Sequence, residues 1–112
     1  MIDSVSDGWA LPEELALVGD PDLLMELISI FKQDVAARLQ ALRGAVMTGD
    51  NAAVGAQAHT IRGSAIQMGA LHLVATCRHL ELDAAHNVTR NMQRLLLEAE
   101  AEFRVLETTM HG

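Results

Sequence analysis

After Pro21 the chain contains no further proline, and its apolar residues recur every three or four positions almost to the C-terminus. No other feature of the 112 residues constrains the fold as strongly. An α-helix completes a turn in about 3.6 residues, so this spacing lines up one apolar face per helix. With no proline to remove a backbone donor, nothing forces the helices to break except their own end signals. Leu24, Ile28, Phe31, Val35, Leu39, Leu42 and Val46 form the longest stripe. Before it, Asp20 is placed as an N-cap, Pro21 fills the first helical position, and Asp22 suits the positive end of the helix dipole. The stripe predicts one long helix ending near Thr48, with Gly49 as its stop.

Three more helices follow from the same reasoning. Asp50 caps a second, whose core stripe is Val54, Ala58, Ile61, Ala65 and Met68 and whose end is Gly69. A third is expected from about Ala70 to Ala85, burying Leu73, Val74, Cys77, Leu80 and Ala84. The last begins at a cap on Asn87 or Thr89 and turns Val88, Met92, Leu95, Ala99, Phe103, Leu106 and Met110 inward. Ahead of these, residues 11–18 suit a short helix with Pro12 near its start and Gly19 as its stop, and residues 1–10 read as a loose lead-in. Trp9 is expected to pack against the open end of the assembly.

Half of the residues are hydrophobic but three are aromatic and none is Tyr, so the core must be built from Leu, Ile, Val, Met and Ala. The length suits one domain, residues 11–112, with a single core. Short connections make successive helices antiparallel neighbours. The expected fold is therefore all-α: an antiparallel up-down-up-down four-helix bundle with a short extra N-terminal helix. Gly49 and Gly69 interrupt any continuous heptad pattern and argue against a long coiled coil. The initiating Met and the modest length suit a free-standing protein.

The charge pattern excludes several functions. A net charge of −7, with eight scattered basic residues, repels nucleic acid. The longest stretch without Asp, Glu, Lys or Arg, residues 63–77, is too short and too polar to cross a membrane. No signal peptide opens the chain, and the single Cys77 cannot form an internal disulfide, so a cytoplasmic protein is expected. Cys77 falls on a core stripe and reads as a buried structural thiol.

His59 is the residue that points to chemistry. It follows core position Ala58 and so lies about 100° round the helix from it. Its own face carries Ala52, Gly55 or Ala56, Arg62, Gly63 and Ile66, which leave the imidazole clear for a docking partner. Arg62 and Gly63, three and four residues on, lie about one turn away. A guanidinium there can neutralise phosphoryl oxygens by charge-assisted hydrogen bonds. Gly63 costs about 1 kcal/mol of helix propensity against Ala, which makes sense if something must approach closely. Each has a plainer explanation: a half-exposed His, a solvated Arg, a glycine for helix packing.

In a hairpin turning at Gly69 and Ala70, residues equidistant from the turn come level. His59 lies ten before Gly69 and Glu81 eleven after Ala70, so Glu81 can accept Nδ1–H of His59 and leave the Nε2 lone pair outward. The alternative is an exposed Glu81 paired with Arg78 on its own helix. His72, His79 and His86 recur every seven residues, about 10.5 Å apart along a helix, too far to share a metal ion. His79, Asp83 and His86 form a slightly closer set, but no metal site is expected.

The run Ala58-His59-Thr60-Ile61-Arg62-Gly63-Ser64, then Gly69-Ala70, then Cys77-Arg78-His79-Leu80-Glu81 resembles the signature of the histidine-containing phosphotransfer (HPt) domain of multistep phosphorelays. That signature reads Ala-His-x-Leu-Lys-Gly-Ser, Gly-Ala and Cys-x-x-Leu-Glu at the same spacing. The departures are Ile61 for Leu, Arg62 for Lys and Ala65 where a second Ser is common. The resemblance implies that His59 accepts a phosphoryl group from an aspartate of one receiver domain and passes it to another. It makes the partners the receiver domain of a hybrid histidine kinase and that of a response regulator. It also implies that the partner, not this chain, supplies Mg²⁺.

The chain has no glycine-rich phosphate loop or kinase catalytic loop, so it is not expected to bind ATP or make its own phosphohistidine. It would be a phosphotransfer intermediate without kinase activity of its own, and a monomer. The rival reading is a helical-bundle adaptor or dimerisation domain in which His59 is never phosphorylated.

Overall fold

The computed structural model describes residues 9–110, and within them the chain is helical. Five helices follow in order: α1 (Glu13–Ala16), α2 (Pro21–Thr48), α3 (Asn51–Gln67), α4 (Leu71–Ala85) and α5 (Met92–Thr109). Helix α3 packs on α2 and α4, and α5 closes the ring against α4 and α2. The expected four-helix bundle with a short leading helix is the observed architecture. Most of the loose lead-in expected over residues 1–10 lies outside the described residues.

The caps act as expected at two helix starts. The Asp20 carboxylate accepts from the backbone N–H of Asp22 and Leu23, at 3.1 and 3.2 Å. Asp50 accepts from the N–H of Ala53 at 3.1 Å, and each such cap is worth about 1 kcal/mol. Gly49 and Gly69 take the left-handed conformation, at φ 73° and 69°, where a side chain would be strained. Asn87 does the same at φ 56°. Behind it the N–H groups of Asn87 and Val88 return to the carbonyls of Ala84 and Asp83, closing α4. Asn87 therefore stops α4 and does not cap α5, because its short amide tolerates the left-handed region. Thr89 does not cap α5 either; the N-cap is Asn91, without a side-chain bond.

Contacts at two levels of one seam hold α2 and α5 antiparallel. Arg43 of α2 grips Glu100 of α5 through two hydrogen bonds, at 2.8 and 2.6 Å. Lys32 of α2 donates to the terminal carbonyls of Glu107 and Met110, at 3.2 and 2.7 Å. Since Lys32 meets the end of α5, the preceding turns of α2 run on past it. There the Trp9 indole N–H donates to Met68 O at 2.6 Å, and Trp9 and Leu15 pack on the core. A Cβ on Gly69 would lie 2.8 Å from Pro12 Cγ, so this turn needs glycine for space as well as for φ.

The core follows the predicted stripes with small shifts. Leu24, Ile28, Phe31, Val35, Leu39 and Leu42 are buried on α2, but Ala45 replaces Val46 as its last buried residue. Val46 and Val74 lie at the core edge, and Val88 is half-buried. Leu96 and Thr76 are buried beyond what the period predicted.

Thr76 is tolerated because its hydroxyl donates to Glu102 Oε2 of α5 at 2.9 Å. The other oxygen of Glu102 is buried without a hydrogen-bond partner. Burial raises this carboxyl above its usual range, against the lowering effects of the Thr76 bond and of His72. A carboxyl raised by folding is destabilising when ionised. The stability it withholds is present below its unfolded pKa and lost as pH rises through the folded value. Glu102→Gln is therefore expected to raise Tm at neutral pH by a few degrees, and the gain should vanish by about pH 4. Thermal melts of both proteins across pH check this; a constant difference would assign the effect to packing.

Candidate functional site

Helices α3 and α4 form the hairpin predicted from Gly69 and Ala70, and His59 stands on its outer side. Ala58 beside it is fully buried, whereas the His59 side chain is 69% exposed. One residue of helical rotation produces that contrast. Ala52, Ala56, Gly63 and Ile66 are exposed on the same side. A Cβ on Gly63 would meet nothing within 4 Å, so helix packing does not explain this glycine. Gly55 differs. It is half-buried, and a Cβ there would lie 3.6 Å from that of Ala84, so this glycine borders the α3–α4 seam and not the open face.

The hairpin register brings Glu81 of α4 level with His59. Nδ1 of His59 lies 2.9 Å from Glu81 Oε1. Arg62 reaches across to the same carboxylate: its Nε donates to Oε2, and its Nη2 lies 3.4 Å from Oε1. The same Nη2 is 3.3 Å from His59 Nδ1. Partial burial of Glu81 works to raise its carboxyl, but the hydrogen bonds and charge of Arg62 and His59 outweigh it and hold the group below its ordinary value. Glu81 is thus an anion tied on one side to a guanidinium and on the other to the inner edge of the imidazole. The Arg62–Glu81 pair was not foreseen from the sequence, which placed the guanidinium towards a phosphoryl group.

The Hpt domain family matches the chain over residues 26–110, a span that includes His59, Arg62 and Glu81. The chain belongs to the Hpt domain family. Its structure is similar to the crystal structure of histidine-containing phosphotransfer protein B (HptB) from Pseudomonas aeruginosa PAO1, with a TM-score of 0.78. The two share 30% sequence identity over 85% of each chain. No curated protein sequence matches the chain.

The other polar groups of this Hpt domain are arranged differently from the His59 cluster. Burial pushes the Cys77 thiol up to about 12, which leaves it protonated and unreactive. His79 Nε2 lies 3.7 Å from Asp83 Oδ2, one turn along α4. His86 Nδ1 donates to the Leu82 carbonyl at 2.8 Å, closing the last turn. Among the described residues no group of three or more His, Cys, Asp or Glu side chains could hold a metal ion. Nor is any described helix long and apolar enough to cross a membrane.

Proposed function

We propose that this Hpt domain relays a phosphoryl group between receiver-domain aspartates through Nε2 of His59. The observation that carries the proposal is the ring's two-sided setting, Nδ1 held at 2.9 Å from Glu81 while the side chain remains 69% exposed. With its proton on Nδ1, neutral imidazole presents the Nε2 lone pair to solvent and to any partner. A phosphoaspartate placed in line would let that pair form an N–P bond. The P–O bond to the aspartate breaks, and its electron pair returns to the partner's carboxylate. Positive charge develops on the imidazole during attack. Glu81 faces that charge and stabilises it, as the carboxylate of a catalytic triad does. Running the same steps backwards delivers the group to a second aspartate.

The open face around Ala56, Gly63 and Ile66 supports docking of a receiver domain on α3 and α4. The partners on this reading are the receivers of a hybrid histidine kinase and of a response regulator, and Mg²⁺ belongs to their carboxylates. We place the protein in the cytoplasm, as a monomer. The test is incubation with a receiver domain charged by acetyl phosphate. Phosphate should appear on this chain in an acid-labile, alkali-stable form. Absence of any transfer from a panel of charged receivers would favour the adaptor reading.

A further inference from the structure

The sequence places Arg62 towards a phosphoryl group and offers Arg78 as a partner for Glu81. The structure shows neither arrangement. Arg62 Nε donates to Glu81 Oε2, and its Nη2 lies 3.4 Å from Oε1 and 3.3 Å from His59 Nδ1. The guanidinium is therefore occupied by Glu81 at the inner edge of the imidazole, whereas the relay attaches its phosphoryl group to Nε2 at the outer edge. Arg78 is exposed and has no hydrogen bond or ion pair with any described residue. Resting on the phosphotransfer reading, we infer that the two arginines have exchanged tasks: Arg78 of α4, not Arg62, is the cation that binds the phosphoryl oxygens on His59.

The hairpin register brings Arg78 close enough. Glu81 is level with His59, and Arg78 lies one turn earlier on α4, about 4.5 Å along the axis and about 60° round it. Residues three apart share a side of a helix, and of these two Glu81 is half-buried and Arg78 exposed. On α3 the exposed position near that level is Gly63, where a Cβ would meet nothing within 4 Å, so α3 leaves the space open. The other cations are engaged or remote. Arg38, Arg43 and Arg94 pair with Asp34, Glu100 and Glu98, and Lys32 holds the carbonyls at the end of α5. Arg104 lies beside the Glu100 carboxyl and helps to lower it, and Arg90 sits in the α4–α5 connection. The Arg-for-Lys departure at position 62 explains the exchange. A Lys ammonium is a single-point donor, but the Arg fork addresses both oxygens of Glu81 and is drawn to them. Arg78 keeps its own fork for two phosphoryl oxygens, which it neutralises without any bond to it being made or broken.

The test separates the phosphoryl contact from receiver docking. The protein is phosphorylated directly with phosphoramidate, and the ³¹P NMR signal that is missing from His59→Gln is titrated across neutral pH. A bound cation favours the dianionic phosphoryl group, so its pKa should rise in Arg78→Ala and stay near the wild-type value in Arg78→Lys. Arg90→Ala removes the same charge from the α4–α5 connection and should leave that pKa in place. So should Arg62→Met/Glu81→Gln, which removes the ion pair beside the ring without changing net charge. Transfer from a charged receiver should slow roughly fivefold in Arg78→Ala, the scale of one exposed ion pair, and by less at high salt. Tm should not change, because Arg78 holds nothing in the free protein.

A phosphoryl pKa that rises in Arg62→Met/Glu81→Gln but not in Arg78→Ala would return the task to Arg62 and overturn the inference. So would equal shifts in Arg78→Ala and Arg90→Ala, which would reduce Arg78 to a share of the net charge. If wild type accepts no phosphate from any receiver, the phosphotransfer reading fails, and the titration of chemically phosphorylated His59 still decides which arginine holds the group.

Discussion

His59→Gln is expected to abolish phosphoryl acceptance while leaving the helical content of the protein unchanged. The amide nitrogen of Gln has its lone pair delocalised and cannot replace Nε2 as a nucleophile, so the loss should be complete. The fold should be insensitive because the ring is 69% exposed and adds nothing to the core. Glu81 keeps its bond to Arg62 after the change, so no carboxylate is stranded. Exposed substitutions of this kind usually alter stability by no more than about 0.5 kcal/mol. Phosphate uptake from a charged receiver, circular dichroism and a thermal melt check all three statements. A variant that still accepted phosphate would place the acceptor elsewhere, with His72, His79 and His86 as candidates. A variant that melted early would make His59 structural.

Gly63→Gln should separate function from stability in opposite directions. The open space at Gly63, where a Cβ would meet nothing within 4 Å, means that a side chain can be added without strain in the free protein. Helix propensity should then improve by about 0.5 kcal/mol, and Tm should hold or rise slightly. The added chain would stand one turn from His59 on the face proposed for docking. Phosphoryl transfer needs in-line approach within about 3–3.5 Å, and a misplacement of about 1 Å can cost on the order of a hundredfold in rate. Transfer is expected to fall by roughly that factor, with weaker receiver binding by titration calorimetry. Normal transfer and binding in a folded Gly63→Gln protein would put the docking face elsewhere than on α3. The shorter Gly63→Ala should be milder in both respects, because a methyl group projects less far from the helix.

Legibility in the sequence followed the range of the interactions involved. The repeats from Leu24 to Leu42 and from Val54 to Met68, the caps at Asp20 and Asp50, and the stops at Gly49 and Gly69 all depend on neighbours within a turn or two. So does the exposure of His59, one position off a stripe whose Ala58 is fully buried. The level position of Glu81 needed only the additional knowledge that the hairpin turns at Gly69. Asn87 was ambiguous because its amide suits both a helix start and a left-handed stop, and the Schellman closure of α4 decided between them. The part-buried Thr76–Glu102 bond arises where α5 meets α4, a seam whose facing residues no single-helix period identifies.

Local periodicity determined the helices, their order and the exposure of His59, because backbone hydrogen bonds and apolar stripes act between residues close in the chain. The tertiary structure decided where Arg62 points. A guanidinium on a long flexible stem can face solvent, a phosphoryl group or a neighbouring helix with little difference in local energy. What settles its direction is the Glu81 carboxylate, nineteen residues away along the chain and in hydrogen-bonding contact across the hairpin.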